Sequence, residues 1–376
     1  MKKLLISALL LCFGTESFIQ AQPLPDRKET LNTLIKVNDY FMRNHPDCGA
    51  PSFVKNKMRP LNIWTRTVYY EGLMALYSIY PDSTYFNYAY QWGESHKWGM
   101  HRGATTRHAD NYACGQVYLE MYDLFPKPEI MLKVKSNLNM LVNTPQIDEW
   151  WWIDAIQMGM PAFAKMGRIT GDTIYFNKMW QMYSYTRNRH GEHGMFNEKD
   201  GLWWRDQNFD PPYKEPNGED CYWSRGNGWG YAALVRVLNE IPATEPHRQD
   251  YINDFLSMSK AIKDCQREDG FWNVSLHDPN HFGGKELTGT SLFVYGMAWG
   301  INNGFLDKNT YLPVLLKAWN GMTKDAVHPD GFLGYVQGTG KEPKDGQPVT
   351  YDSKPDFDDF GTGCFLLAGS EVYKLN

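Results

Sequence analysis

The strongest constraint on the fold of this chain is a helical pattern that repeats almost from end to end. Apolar residues recur at every third or fourth position in one segment after another, for example over residues 30–44, 128–143 and 228–241. Few stretches alternate with the two-residue period that is typical of a strand. The pattern therefore predicts an all-α chain of about a dozen helices.

Three Asp-Gly turns divide these helices into a rough repeat. They begin at Asp200, Asp269 and Asp330, and each separates one helical pattern from a second that is rich in glycine, alanine and aromatic residues. A helix pair that recurs about every 60 residues indicates a closed ring or solenoid of helical hairpins. Six pairs would use the chain, so the spacing predicts an (α/α)6 barrel with small residues on crowded inner helices. Residues 205–222, rich in proline and acids, interrupt the pattern and are expected to form a lid or rim over one mouth.

The first residues of the chain predict a signal peptide. Lys2 and Lys3 precede an apolar run over residues 4–13, and Ala21 is a small residue at which cleavage can occur. The apolar run is too short to span a membrane, and no later stretch is long and apolar enough. We therefore expect residues 1–21 to be removed on export.

Residues 22–376 are then expected to form a single catalytic domain in the periplasm. Lipid attachment through Cys12 is disfavoured because the three residues before it are bulky leucines. The sequence contains no indication of the oligomeric state.

The charge balance narrows the classes of partner. The chain has 38 lysines and arginines against 43 aspartates and glutamates, mixed along its length without a basic tract, which disfavours nucleic acid. The cysteines and histidines show no spacing typical of a zinc site, so no metal or other cofactor is predicted. Aromatic residues make up 15% of the chain. They could stack on sugar rings or simply fill a large helical core.

Two aspartates near predicted helix starts are candidates for proton transfer. Asp154 follows three consecutive tryptophans in "WWWIDAIQMG", and Asp110 lies in "RHADNYACGQ". The helix dipole favours the ionised form of Asp154, whereas burial beside tryptophan favours the protonated acid, and these opposed effects could produce a working acid/base. Either aspartate could instead cap a helix, a role that this residue often fills. The residues alone leave both interpretations open.

A glycine-rich segment supplies candidate ligand contacts. In "YWSRGNGWGYAAL", Arg225 could bind a carboxylate through two N–H groups, and Trp229 could offer a ring face to a sugar. The alternative is a glycine-rich helix entry with a surface arginine and a core tryptophan. Arg205 and Asp206 could pair with each other at the surface, and His108, like the other scattered histidines, is expected to be structural.

Five motifs together resemble the unsaturated rhamnogalacturonyl hydrolases of glycoside hydrolase family 105 and, more distantly, the unsaturated glucuronyl hydrolases of family 88. In chain order they are "WWWIDAIQMGMPAFAKMG", "YWSRGNGWGYAALVRVL", "DGFWNVSLHDP", "TGTSLFVYGMAWGINNG" and "GTGCFLLAGSEVYKL". The resemblance implies an (α/α)6 barrel that removes a 4,5-unsaturated uronic acid from the non-reducing end of lyase-generated oligosaccharides, commonly with rhamnose as the next sugar. Such enzymes hydrate the C4=C5 double bond, in contrast to the attack at the anomeric carbon used by most glycosidases.

The resemblance also implies roles for individual residues. Asp154 matches the aspartate that transfers the proton and activates water, and Asp110 matches its partner carboxylate. Trp152, Arg225 and Trp229 match positions that contact substrate. Some relatives have histidine where this chain has Arg205, so we expect a different substrate contact at that position.

Three alternatives remain open at the level of the sequence. An ordinary (α/α)6 glycosidase or a polysaccharide lyase would use the same barrel. A protein that only captures glycans would share the tryptophan-rich composition but release no product.

Overall fold

A computed structural model describes residues 23–50, 52–54, 57–191 and 193–375. The predicted signal peptide lies outside the described residues. Those residues form thirteen helices and two short antiparallel hairpins. Within the described ranges, no helix combines the length and apolarity needed to cross a bilayer.

The helices alternate along the chain between an outer and an inner layer. The outer helices are α1 (Arg27–Asn44), α3 (Ser83–Ser95), α6 (Pro128–Val142), α8 (Ile174–Asn188), α10 (Arg248–Asp264) and α12 (Lys308–Asp325). The inner helices are α2 (Trp64–Ile79), the pair α4 (Ala109–Tyr112) and α5 (Gly115–Leu124), α7 (Ile153–Thr170), α9 (Ser224–Glu240), α11 (Leu287–Asn302) and α13 (Asp359–Tyr373). The hairpins pair β1 (Ser52–Val54) with β2 (Lys57–Arg59), and β3 (Phe196–Asn197) with β4 (Leu202–Trp203).

The inner helices form a closed ring. Helix α2 contacts α5, contacts continue through α7, α9 and α11 to α13, and α13 contacts α2 again. The outer helices pack around this ring, for example α3 on α2 and α1 on α13. This arrangement confirms the predicted (α/α)6 barrel of six helical hairpins.

Burial differs between the two layers as the sequence pattern predicts. Nearly every residue of α9, α11 and α13 is buried, whereas an outer helix such as α10 buries one face. Small residues let the inner backbones approach closely, and Gly72 of α2 packs directly against Gly363 of α13. The expectation of small residues on crowded inner helices is therefore confirmed.

The three Asp-Gly turns connect an outer helix to the next inner helix. Gly201, Gly270 and Gly331 have φ values of 66°, 91° and 100°, which a side chain would strain. They lie between α8 and α9, α10 and α11, and α12 and α13. The repeat in the sequence thus corresponds to one turn in each of three successive hairpins.

The sequence-based prediction does not include two outer helices, α3 and α8. Both contain several aromatic and polar residues whose helix propensity is modest. In α3, Trp92 stacks on Tyr70 of α2 with ring centroids 4.1 Å apart, and Tyr88 packs beside it. Tertiary packing, more than local periodicity, stabilises these helices.

Candidate active site

The inner helices begin at the same mouth of the barrel. Trp64 at the start of α2 lies near Trp229 in α9 and Phe360 in α13, with ring centroids 6.2 and 5.4 Å apart. Gly226 near the start of α9 faces Ile153, the first residue of α7. The connections from each outer helix to the next inner helix therefore gather here, and we call this end the loop-bearing mouth. All the predicted site residues belong to it.

Asp154 lies in the first turn of α7 but does not cap the helix. The N-cap is Trp152, and its position has no side-chain capping bond. The Asp154 side chain is 13% exposed, and its Oδ2 lies 3.3 Å from Nε of Arg205, an ion pair without hydrogen-bond geometry. Burial raises the pKa of Asp154, and the positive charges of Arg205 and Arg225 act in the opposite direction.

Asp110 does not cap its helix either. His108 is the N-cap of α4, and Asp110 follows within the first turn with 28% of its side chain exposed. Burial raises the pKa of Asp110 to about 7, with a further rise from the negative charge of Asp154 and an opposing effect of Arg205. The two carboxylates therefore lie close enough for the charge on one to shift the titration of the other.

Arg205 connects the carboxylate pair to the rim of the mouth. Its Nη1 donates to Oδ2 of Asp206 over 2.5 Å, and its backbone carbonyl accepts a hydrogen bond of 2.9 Å from the N–H of Ile153. The side chain of Asp206 is buried, and its Oδ1 accepts from the backbone N–H of Asn208. Arg205 and Asp206 therefore do pair, but the expectation that they pair at the surface is wrong. Arg205 is largely buried and bridges Asp206 to Asp154.

Residues 205–222 form an anchored rim. Glu215 within this segment accepts a hydrogen bond of 2.8 Å from Oγ of Ser275 and contacts Nδ1 of His281. The backbone N–H of Asn217 donates to Oδ2 of Asp278 over 3.1 Å. These contacts tie the segment to the connection between α10 and α11.

Arg225 is buried, and its guanidinium donates hydrogen bonds to backbone carbonyl groups. Its Nη1 donates to the carbonyl of Gln337 over 2.6 Å and its Nη2 to the carbonyl of Gly338 over 2.8 Å, while the guanidinium lies 4.7 Å from the ring centroid of Trp223. Its Nε has no hydrogen-bond partner among the described residues. Each Nη atom thus already uses one of its two N–H groups on backbone, and the positive charge also acts on Asp154.

The aromatic residues of the site differ in accessibility. Trp229 has no exposed surface, so the expected ring contact with a sugar is not available in this structure, and its indole packs edge-on against the partly exposed Trp64. Trp152 is 3% exposed, and its ring lies 4.7 Å from His108 and 4.5 Å from Trp151. Trp151, with 42% of its surface exposed, is the accessible member of the tryptophan run.

Two residues at this mouth were not expected from the sequence. His108, predicted to be structural, has 46% of its side chain exposed, and its Nδ1 lies 3.9 Å from Oδ2 of Asp110. Its position two residues before Asp110 was the only sequence signal. Trp64 carried no signal, because it meets Trp229 only after the ring of helices has closed.

A cavity of about 470 Å³ lies away from the carboxylate pair. It is lined by the C-terminal halves of inner helices, including Glu71, Glu120, Lys165 and Arg236, and therefore marks the opposite mouth. Burial raises the pKa of Glu71 to about 7, and Arg236 opposes that rise. Asp154 and Asp110 do not line this cavity and belong instead to the loop-bearing mouth. Among the described residues, no group of three or more histidine, cysteine or acidic side chains is arranged to hold a metal ion.

Comparison with known proteins gives matches along nearly the whole chain. The family model described as Glycosyl Hydrolase Family 88 matches residues 33–376. An unsaturated 3S-rhamnoglycuronyl hydrolase from Formosa agariphila is 32% identical over 338 residues, covering 83% of this chain and 84% of that protein. A solved structure described as a family 88 glycosyl hydrolase from Bacteroides vulgatus is 32% identical, has a TM-score of 0.84, and covers 93% of this chain and 100% of that one. Another, described as a polysaccharide lyase, is 33% identical with a TM-score of 0.83, covering 92% of this chain and 97% of that one.

Proposed function

Because the chain belongs to glycosyl hydrolase family 88, we propose that it removes a 4,5-unsaturated uronic acid from the non-reducing end of lyase-generated oligosaccharides. The observation that carries the proposal is the pair formed by Asp154 and Asp110, two carboxyl groups with raised pKa values beside Arg205. A group that must donate a proton near neutral pH needs a pKa above the ordinary range of a carboxyl group. Burial at the loop-bearing mouth supplies that condition.

In the proposed reaction, protonated Asp154 gives its proton to C4 of the unsaturated sugar. Water adds to C5, and the Asp154 carboxylate takes the proton that this water loses, which regenerates the acid. The product is a hemiketal that opens by breaking the bond between C5 and the ring oxygen. The freed oxygen leaves a hemiacetal at C1, which releases the next sugar as an alcohol, so one water is consumed and one glycosidic bond is broken.

The two arginines and Asp110 have different roles in the proposed reaction. Arg205 contacts Asp154 and keeps 14% of its side chain exposed, so we assign it to the carboxylate of the unsaturated sugar. Arg225 acts on Asp154 through its charge and holds the backbone at Gln337 and Gly338. Asp110, whose pKa depends on the charge of Asp154, is the partner that tunes the acid.

The finer assignments extend the same proposal. Rhamnose as the next sugar is supported by the relative described as a rhamnoglycuronyl hydrolase and by the motifs that resemble family 105. We further propose that the protein is exported to the periplasm and acts on pectin-type fragments, as the N-terminal sequence and the rhamnogalacturonyl resemblance suggest. A polysaccharide lyase is the second candidate, because a solved structure with 33% identity carries that description.

The sign of an ultraviolet absorbance change separates these candidates. The enzyme is mixed with a panel of lyase-generated disaccharides and, separately, with the intact polysaccharide, and the absorbance of the C4=C5 chromophore is followed while products are identified by mass. The proposed hydrolase removes the chromophore. A lyase acting on intact polysaccharide creates it, an ordinary glycosidase leaves it unchanged, and a glycan-binding protein gives no product, and any of these three results would contradict the proposal.

We expect Arg205→Gln to move the alkaline limb of the pH–rate profile to higher pH. Activity that needs protonated Asp154 is complete below the pKa of the pair and is lost as the pH rises through it. The positive charge of Arg205 lowers the pKa of both Asp154 and Asp110, so its removal favours the protonated acid. The measurement is kcat/KM against pH on one unsaturated disaccharide.

Two control variants make this result specific. Arg205→Lys keeps the charge and should leave the limb closer to that of the wild type. Arg189→Gln removes an exposed arginine that forms no ion pair within the described chain, and should not move it. An unshifted limb in Arg205→Gln would show that the group titrating in the profile is not the one beside Arg205.

A further inference from the structure

The opposite mouth of the barrel holds a cavity that the proposed function does not use. Helices α2, α5, α7, α9, α11 and α13 all end at this mouth, and each contributes to the lining of the cavity, whose volume is about 470 Å³. This size is typical of sites for small organic molecules. The walls combine charged groups with apolar side chains such as Met74, Leu124 and Leu367. The cavity therefore has the size and the mixed lining of a ligand site.

Glu71 of α2 is a buried carboxylate in this lining. Its side chain has no exposed surface. Oε2 accepts a hydrogen bond of 2.9 Å from Nε2 of Gln157 in α7, whereas Oε1 has no hydrogen-bond partner in the described parts of the chain. Burial of a carboxylate oxygen without a donor is unfavourable, so this group is suited to receive a proton or to attract a cation.

The ion pairs at this mouth leave one carboxylate poorly compensated. Five acidic residues line the cavity, namely Glu71, Glu120, Asp123, Glu240 and Glu371. Within the described ranges their ion-pair partners are four cations, Lys165, Arg168, Arg236 and Lys374. Nη2 of Arg236 donates to Glu120 over 2.8 Å, but its Nη1 lies 3.9 Å from Glu71. Glu71 is therefore the acid whose charge is least neutralised.

The ends of the inner helices make the cavity more negative. The C-terminus of a helix carries a partial charge of about −0.5. Ser78, Leu124 and Glu240, which line the cavity, lie in the last turns of α2, α5 and α9. Because charges interact more strongly in a buried site than in water, this mouth repels anions and attracts a cation.

We propose that the cavity binds a small organic cation, a protonated primary amine on a short apolar chain, at a site separate from the active site. The ammonium group compensates the charge of Glu71, and the carbon chain removes Met74, Leu124 and Leu367 from water. One positive charge balances the five carboxylates against the four cations, which favours a monovalent ligand. The inference does not depend on the proposed function.

Calorimetric titration with n-butylamine tests the site, and butan-1-ol serves as the uncharged analogue of the same chain length. We expect saturable binding of butylamine to the wild type and none of butan-1-ol. Glu71→Gln keeps the shape of the side chain and removes its charge. It should weaken butylamine binding about tenfold, the effect of losing one interaction with a buried charged group.

Glu129→Gln is the matched control. It removes an exposed carboxylate from the first turn of α6, outside the lining of the cavity, and should leave the affinity for butylamine unchanged. The proposal fails if the wild type does not bind butylamine or binds the alcohol equally well. It also fails if Glu71→Gln binds butylamine like the wild type, or if both variants lose affinity equally.

The pH dependence of butylamine binding gives a second test that needs no variant. The pKa of Glu71 is about 7, so its ionised fraction rises about tenfold from pH 6 to pH 8, while a primary amine stays protonated. The affinity of the wild type should therefore rise about tenfold over this range. An affinity independent of pH would contradict the role of Glu71.

Glu71→Gln shows whether this pH dependence belongs to Glu71, because the other charged and titratable groups remain in the variant. Those that act on Glu71 or share its surroundings are Glu120, Lys165, Arg236, Tyr295, Cys364 and Glu371. We expect the affinity of the variant to be flat between pH 6 and pH 8. The same rise in the variant as in the wild type would overturn the assignment. Neither titration uses a saccharide, so the result stands apart from any test of hydrolysis.

Discussion

Asp154→Asn is expected to reduce kcat on an unsaturated disaccharide by about 10³-fold, within the range found for general acid–base groups. Asparagine has nearly the shape of aspartic acid, but it has no acidic proton for C4 and no carboxylate to accept a proton from water. The ion pair of 3.3 Å with Arg205 is lost as well, but Asp206 still holds Arg205 in place for the carboxylate of the substrate. We therefore expect KM to change much less than kcat.

Stability measurements distinguish loss of chemistry from loss of fold. Burial raises the pKa of Asp154, so ionised Asp154 is less favourable in the folded protein than in water. The neutral asparagine should leave the melting temperature unchanged or slightly higher. Asp148→Asn is the control, because it neutralises an exposed aspartate six positions earlier. Full activity in Asp154→Asn with an intact melting transition would rule out Asp154 as the acid.

Gly363→Ala is expected to lower the free energy of unfolding by about 3 kcal/mol, at the upper end for overpacking a core. A Cβ at this position would lie 2.1 Å from the backbone carbonyl oxygen of Val68 and 2.4 Å from its carbonyl carbon. Backbone cannot rotate away as a side chain can, so α2 and α13 would have to separate. These two helices close the ring of the barrel, and their separation would loosen it.

Helix propensity and packing predict opposite signs for the stability change in Gly363→Ala. In an isolated helix, replacing glycine by alanine stabilises by about 1 kcal/mol, so the sign of the change reports whether packing outweighs propensity. Denaturant unfolding of wild type and Gly363→Ala gives the difference. Ser370→Ala in the same helix removes a buried hydroxyl that has no hydrogen-bond partner in the described part of the chain, and it should change stability little. Increased stability in Gly363→Ala would mean that α2 and α13 are not in direct backbone contact.

The barrel could be predicted because its repeating unit depends on residues that are close together in the sequence. The turns at Gly201, Gly270 and Gly331 need a backbone that glycine adopts easily, and the inner helices need small residues where they approach one another. Both requirements can be recognised in short stretches of the sequence. Helices α3 and α8 show a weaker sequence pattern, because their stability comes from aromatic packing against other helices.

The site could be predicted only in part. The sequence motifs pointed to Asp154, Asp110 and Arg205, whose roles stay predictions; in the structure Arg205 lies beside Asp154, and the charge of Asp154 raises the pKa of Asp110. The sequence could not choose between capping and acid chemistry, because both interpretations begin with an aspartate near a helix start. The N-caps at Trp152 and His108 settle that neither aspartate caps its helix.

The roles expected for Arg225 and Trp229 show what composition could not reveal. Arg225 donates to carbonyls that lie more than a hundred positions later in the chain, and Trp229 is covered by Trp64 from the first inner helix. No local pattern records a contact between residues so distant in sequence. The fold buries both side chains, and their contact with substrate stays a prediction.

Hydrophobic periodicity and turn chemistry indicated the architecture from the sequence alone, because each depends on residues that are neighbours along the chain. The motifs indicated family 105 first and only more distantly family 88, which is the family whose model matches. The tertiary structure decided which groups meet at the loop-bearing mouth, which of them stay accessible, and which way each pKa shifts. Those properties depend on burial and on charges contributed by different helices and loops, and these exist only once the ring has closed.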